Sequence, residues 1–269
     1  MRDKVDWLWI DLLKPDNQEL SIIAELVGDQ KVVRDIQTKK VLPRPKIVGN
    51  LSLLYIPQAT FKDKLETFPI YVFTRDRILV TVRDKYSSET VENTLRTFED
   101  CVGKVCKGKA NSSFILSRIF HELSNENLNI VMSLRQTIDD IEHDALSNPA
   151  SKEINRLVFE MKRQISAFER VLWAQRELML SISEGVVPTI DASDEVAVSF
   201  SHPINNISRE LSLLDSHNNA LDSILRLQDL GMIHRVERNL TYLTVIALMV
   251  SILLILLEID ILSLLYAGT

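Results

Sequence analysis

Glu237, Thr244, Ser251 and Glu258 recur every seven residues through the most apolar part of the chain, with Leu240, Ala247 and Leu254 at the intermediate positions. Seven residues bring a helix back to nearly the same azimuth, drifting about 20° per heptad, so these side chains share one face. Along such a helix the two glutamates stand roughly 30 Å apart, close to the thickness of a bilayer's hydrocarbon. In a symmetric oligomer this face would set a carboxylate ring at each mouth of a pore, with hydroxyl oxygens between. Hydrated hard cations require that chemistry. The same spacing also suits a packing role, in which Thr and Ser let helices approach closely and the glutamates mark the membrane interface. The spacing alone leaves both readings open.

No other constellation in the sequence carries chemistry. It has no glycine-rich phosphate loop, no nucleophile elbow and no His-Glu-x-x-His pair. The five histidines, His121, His143, His202, His217 and His234, are scattered without metal-ligand spacing. An enzyme is therefore not expected. Cys101 and Cys106 have no second pair and read as free thiols in a reducing compartment. With 31 basic and 37 acidic residues the net charge is -6, which argues against nucleic acid as a partner. The opening Met1-Arg2-Asp3-Lys4 lacks the apolar core of a signal peptide, so the N-terminus is expected to stay in the cytosol.

The polar stripe needs a membrane-crossing helix to hold it. From Leu240 to Leu257 the chain is uncharged, and at about 1.5 Å per residue the run is long enough to cross a hydrocarbon core. Arg235 and Arg238 precede it and place the N-terminal side in the cytoplasm. The preceding segment reads Phe200, Ile204, Ile207, Leu211, Leu214, Asn218, Leu221, Leu225, Gln228, Met232, Arg235, a heptad seam with polar residues at Asn218 and Gln228. No glycine-proline punctuation separates it from Leu240. The helix starts near Ser193 or afresh at Pro203, where proline fits a first turn, and the simplest reading is one helix of sixty-odd residues from Pro203 into the bilayer. The polar seam positions predict packing against copies of the same helix, hence a homo-oligomer of unspecified number.

Two earlier long helices are expected. Ser113 to Leu146 carries a stripe of Leu116, Phe120, Leu123, Leu134, Ile138, Ile141 and Ala145, ending near Asn148-Pro149. Ile154 to Ile182 carries Ile154, Val158, Met161, Ile165, Phe168, Leu172, Met179 and Ile182, interrupted by Gln175. A short break makes them an antiparallel pair.

Upstream the character is α/β. Strands are expected at Val5 to Leu13, Leu51 to Gln58, Tyr71 to Thr74 and Ile78 to Arg83, with a turn at Arg75-Asp76. Asp16 and Glu19 form a capping box for a helix through Val27, closed by Gly28. Ser88 caps a helix running towards Val105, and Cys106 opens a short linker. The expected architecture is α+β: an N-terminal cytoplasmic α/β domain at 1–108, a long-helix, coiled-coil-like stalk at 109–239, and a transmembrane segment at 240–269 in contact with membrane lipid.

Several of these segments resemble the CorA family of magnesium and cobalt channels. They are Trp9-Ile10-Asp11 with Pro15, Arg44-Pro45-Lys46, the strand from Arg77 to Arg83, and Leu243-Thr244-Val245-Ile246-Ala247. The similarity covers nearly the whole chain. It implies a funnel-shaped homopentamer in the plasma membrane, with the first membrane helix lining a pore for Mg2+ and possibly Co2+. It also implies cytoplasmic sites between subunits that sense the ion. Asp35 falls where the family carries one sensing acid, and His202 aligns with another. Departures accompany the likeness: Ile261, Leu262 and Ser263 stand where the family carries Gly-Met-Asn, Glu237 replaces an asparagine, Ile252 replaces a proline, and the second span is missing before Thr269. They admit two other readings, a non-conducting membrane-tethered sensor or scaffold, and a fragment of a longer transporter.

Overall fold

The computed structural model describes residues 8–28, 30–38, 44–83, 92–93, 95–96 and 111–267, the backbone alone from residue 256 onward. Cys101, Cys106 and the linker lie outside the described residues, as does most of the helix expected from Ser88, of which Glu92, Asn93, Leu95 and Arg96 are helical.

The sequence opens with strand β1 (Leu8–Leu13) and helix α1 (Asn17–Val27). The start of α1 is dictated locally. The Asp16 carboxylate accepts from the backbone of Gln18 and Glu19 at 2.8 Å, and Glu19 Oε2 accepts from the Asp16 N–H at 2.9 Å. Gly28, at φ 78°, closes the helix in the left-handed region. Two short elements follow that the sequence pattern did not indicate, helix α2 (Lys31–Gln37) and strand β2 (Lys46–Val48). Strands β3 (Leu51–Phe61), β4 (Leu65–Arg75) and β5 (Ile78–Arg83) complete a five-stranded sheet in the order β1-β5-β4-β3-β2. β1 runs parallel to β5, and the other neighbours are antiparallel. The β4–β5 turn sits one residue later than expected, at Asp76-Arg77. Asp76 takes φ 51°, a conformation aspartate tolerates, and Arg75 pairs with Ile78.

The helices beyond the sheet are α3 (Ser112–Ser147), α4 (Lys152–Ser183) and α5 (Asp194–Ala267). The chain divides into two compact units, residues 1–137 with 161–218, and residues 138–160 with 219–269.

In the first unit both faces of the sheet are buried. One face packs Leu51, Leu53, Tyr71, Phe73, Val80 and Val82 with Ile23 of α1 and Ile36 of α2. The opposite face carries Ser52, Leu54, Ile56, Gln58, Ile70, Val72 and Thr74. It meets the long helices through polar contacts. Gln175 of α4 accepts from Asn127 of α3 and donates to Pro57 O of β3, both at 2.7 Å. Thr74 bonds Thr189, and Gln58 donates to Glu126. The α4 stripe behaves as its spacing requires, since Met161, Ile165, Phe168, Leu172, Met179 and Ile182 are all buried, Gln175 among them.

The helix begins at Asp194, the first of the two expected starts, and Pro203 is buried inside it. The α5 seam departs from expectation in two respects. The chain's own core takes Phe200, Ile207 and Leu214 as expected, but the alternating positions are Pro203, Glu210 and His217 rather than Ile204, Leu211 and Asn218. Ile204 and Leu211 are only half-buried, and Asn218 donates to Glu169 of α4 at 3.2 Å within the same chain. The reason is that Ser124 and Asn127 of α3 bring polar partners to the seam, so a carboxyl can be accommodated there.

In the second unit Ile138, Ile141 and Ala145 of α3 and Ile154 and Val158 of α4 are buried, as are Leu221 and Ile224 of α5. Gln228 is fully buried too, and its partners are in its own chain. Its Oε1 accepts from Ser151 N–H at 2.7 Å and its Nε2 donates to Ala145 O at 3.4 Å. The expectation that Gln228 specifies contacts between copies is thereby corrected. From Met232 to Ile255 every residue of α5 is exposed.

Candidate functional site

The membrane-side stripe is built on a helix unbroken from Asp194 to Ala267. Its most apolar stretch has mean hydropathy 1.8 and none of it is buried within the chain. Leu240 is 57% exposed and Leu254 61%, so the surface must be covered by lipid or by other helices to be stable in the cell. Among the described residues α5 is the one helix long and apolar enough to cross a membrane.

Glu237 stands one turn before Leu240, exposed, its Oε2 3.2 Å from Nδ1 of His234. The Thr244 hydroxyl donates to Leu240 O and the Ser251 hydroxyl to Ala247 O, both at 2.9 Å. Each hydroxyl proton is thereby held by the helix's own backbone, leaving the oxygen's lone pairs outward as acceptors. Such oxygens can contact a cation or its hydration water. Ala247, between them, adds no bulk. Glu258 lies on the helix, with its side chain outside the described residues.

The two residues aligned with sensing acids are placed separately. Asp35 is a buried residue of α2, and its Oδ2 accepts from Lys46 Nζ of β2 at 3.1 Å. Burial, with Tyr55 and the Asp35 carboxylate nearby, pushes the Tyr71 phenol up to about 12. His202 is exposed on α5, its ring 5.5 Å from that of His121 and tilted 46° to it, with Asn206 Nδ2 3.3 Å from its Nδ1. Among the described residues no three His, Cys, Asp or Glu side chains come together as a metal site.

Three residues that support α5 were not singled out by the sequence pattern for the work they do. Glu210 is buried at 1% exposure, with Ser124 donating to its Oε1 at 3.3 Å, and burial pushes its carboxyl up to about 7. Gly231 faces the α3–α4 turn, where a Cβ would stand 2.6 Å from Pro149 Cβ and 3.1 Å from Ala150 N. Arg235 reaches the same turn, its Nη2 donating to Pro149 O at 3.2 Å. The spacing of Gln228, Gly231 and Arg235, three and then four residues, puts them on one helix face and was the available signal.

A mixed sheet covered by helices, followed by a long helix that carries one apolar span, defines a class of membrane protein with a large extramembrane domain. Within that class the chain belongs to the family described as CorA-like Mg2+ transporter protein, whose sequence model matches residues 4–252. The fold is similar to the complete structure of the CorA magnesium transporter from Methanocaldococcus jannaschii, at 16% identity and TM-score 0.74, over 90% of this chain and 77% of that one. It is also similar to the full-length CmaX protein, at 14% identity and TM-score 0.72, over 89% of this chain and 72% of that one. The ZntB cytoplasmic domain from Vibrio parahaemolyticus RIMD 2210633 matches at 11% identity and TM-score 0.65, over 87% and 91%. Identities this low speak to fold alone. No curated protein matches the sequence.

Proposed function

We propose that the chain is one subunit of a homo-oligomeric channel that passes Mg2+, and by the same oxygen chemistry Co2+, across the plasma membrane. Residues 1–108 form the cytoplasmic domain, 109–239 the stalk and 240–269 the span. Glu237 concentrates cations at the inner mouth, Thr244 and Ser251 meet the hydration shell, Leu240, Ala247 and Leu254 set the bore, and Glu258 lies at the far end. The observation that carries this reading is the pair of hydroxyls whose protons are bonded to Leu240 O and Ala247 O on an exposed face. Membership of the CorA-like family supports it, and a fivefold arrangement is adopted by likeness to that family. The membrane potential drives entry, at about 2.3 kcal/mol per charge per 100 mV, doubled for a divalent ion.

Asp35 and His202 are assigned to ion sensing in the cytoplasm. For Asp35 this requires a cation to displace the Lys46 ammonium, so sensing is a competition between charges. Mg2+ uptake into proteoliposomes holding the full chain tests the assignment, with Glu237→Ala expected to lower it severalfold. Equal uptake with and without Glu237 would remove the inner-mouth role.

A non-conducting sensor or scaffold is favoured by one observation, Ile261-Leu262-Ser263 in place of Gly-Met-Asn. It predicts no flux at all, together with a Mg2+-dependent rise in melting temperature that Asp35→Asn abolishes.

A further inference from the structure

Immediately before the apolar run, α5 and the α3–α4 turn border an open cavity of about 520 Å³ lined by Pro149, Leu227, Leu230, Gly231, His234, Arg235 and Arg238. Its two parts differ in character. Leu227, Leu230 and Pro149 are apolar, whereas Arg235, Arg238 and, when protonated, His234 are cationic. Arg235 is held in place by Pro149 O, and only Gly231 lets the turn approach so closely. Nearby acids are Glu237, which pairs with His234, and Asp229 on the exposed surface of the same helix. The cavity wall therefore carries two arginines against carboxylates that face His234 or solvent.

Depth identifies the occupant. At about 1.5 Å per residue, Arg238 and Arg235 lie roughly 3 and 8 Å before Leu240, where the uncharged run begins. The headgroup layer on each side of a bilayer's hydrocarbon is about 5–8 Å thick. Both guanidiniums thus fall at the height of lipid phosphates, while Leu230, about 15 Å before Leu240, closes the cavity as an apolar wall on its cytoplasmic side. Guanidinium forks match phosphate oxygens.

We propose that this cavity binds the phosphate of an anionic phospholipid of the cytoplasmic leaflet, and so fixes the helix–turn junction against the membrane. The inference rests on α5 crossing the bilayer as described above.

The test uses the full chain in nanodiscs of phosphatidylcholine alone or with one-fifth phosphatidylglycerol, followed by release into detergent and native mass spectrometry of retained lipid. The expected result is selective retention of phosphatidylglycerol, weakened roughly fivefold by Arg238→Gln and again by Arg235→Gln. Gly231→Ala should weaken it too, because it displaces the turn while leaving every charge. Loss with the arginine variants but not with Gly231→Ala would overturn the cavity in favour of diffuse surface charge. Equal displacement of the lipid by millimolar inorganic phosphate would overturn the choice of a lipid over a soluble phosphate. No lipid preference in the wild-type chain, with normal nanodisc insertion, would overturn the site while sparing the span. Failure to insert even in phosphatidylcholine would overturn both.

Discussion

Gly231 and Pro149 are so close that a methyl on Gly231 would lie 2.6 Å from the Pro149 Cβ, well inside van der Waals contact. The turn after α3 is thereby seated on the helix that runs to the membrane, and Gln228 and Arg235 grip it from either side. Gly231→Ala gains about 1 kcal/mol of helix propensity, yet overpacking here costs about 1–3 kcal/mol. A net fall in melting temperature of the detergent-solubilised chain is expected. A rise would show that the turn is not seated on α5.

Gln228 satisfies both a backbone donor, Ser151 N–H, and a backbone acceptor, Ala145 O, from a fully buried position. Gln228→Leu keeps the volume but strands those groups, at about 1–3 kcal/mol for the unsatisfied donor. Hydrogen exchange should quicken at Ser151 in the variant, and unchanged exchange would contradict the pairing.

Glu210 gives the first unit a pH dependence of defined sign. Its carboxyl is raised from an ordinary 4.5 to about 7 by burial, so the folded chain holds a proton that the unfolded chain has released. Stability from this group is complete below about pH 4.5 and is lost as pH climbs to about 7, at roughly 1.4 kcal/mol per pH unit. Glu210→Gln should therefore match the wild type at pH 4.5 and exceed it at pH 8. Melting curves at the two pH values measure this, and a variant no more stable at pH 8 would refute it.

Arg83 is bound to Asp11 by both Nε and Nη2, the latter at 2.8 Å, with side chains 4% and 13% exposed. Thr81 also donates to Asp11 and is itself bonded by Trp9, which ties β1 to β5. Asp11→Leu leaves a buried guanidinium uncompensated and should cost about 3–5 kcal/mol. Adding Arg83→Met should recover most of that loss. Denaturant midpoints of the two variants decide it, and a double variant as unstable as the single one would count against a charge-burial cause.

What could be read in advance was whatever is specified by near neighbours in the chain. The capping box of Asp16 and Glu19 is complete within four residues, and the α4 stripe is buried throughout because its apolar side chains leave one choice of face. On α5 two alternating rows were available, Pro203, Glu210 and His217 or Ile204, Leu211 and Asn218. Hydropathy favours the second, whereas partners on α3 select the first. Strand β2 spans three residues and exists only through pairing with β3, a register no local pattern encodes. Gly231 reads in sequence as a weak helix residue, and its purpose lies about eighty residues earlier, in the turn it admits. The stripe Glu237, Thr244, Ser251, Glu258 was visible as spacing, while the backbone bonds that orient its two hydroxyls became visible only with the helix built.

If α5 lines a pore, one face of the helix, and not its neighbour, governs ion passage. Mg2+ influx into voltage-clamped proteoliposomes is compared for the wild type, Ser251→Leu and Ile252→Leu. Leucine at position 251 is expected to abolish influx while leucine at 252 leaves it within about twofold, since one step along a helix turns the side chain about 100° away. Influx through the Ser251→Leu variant equal to that of the wild type would contradict it.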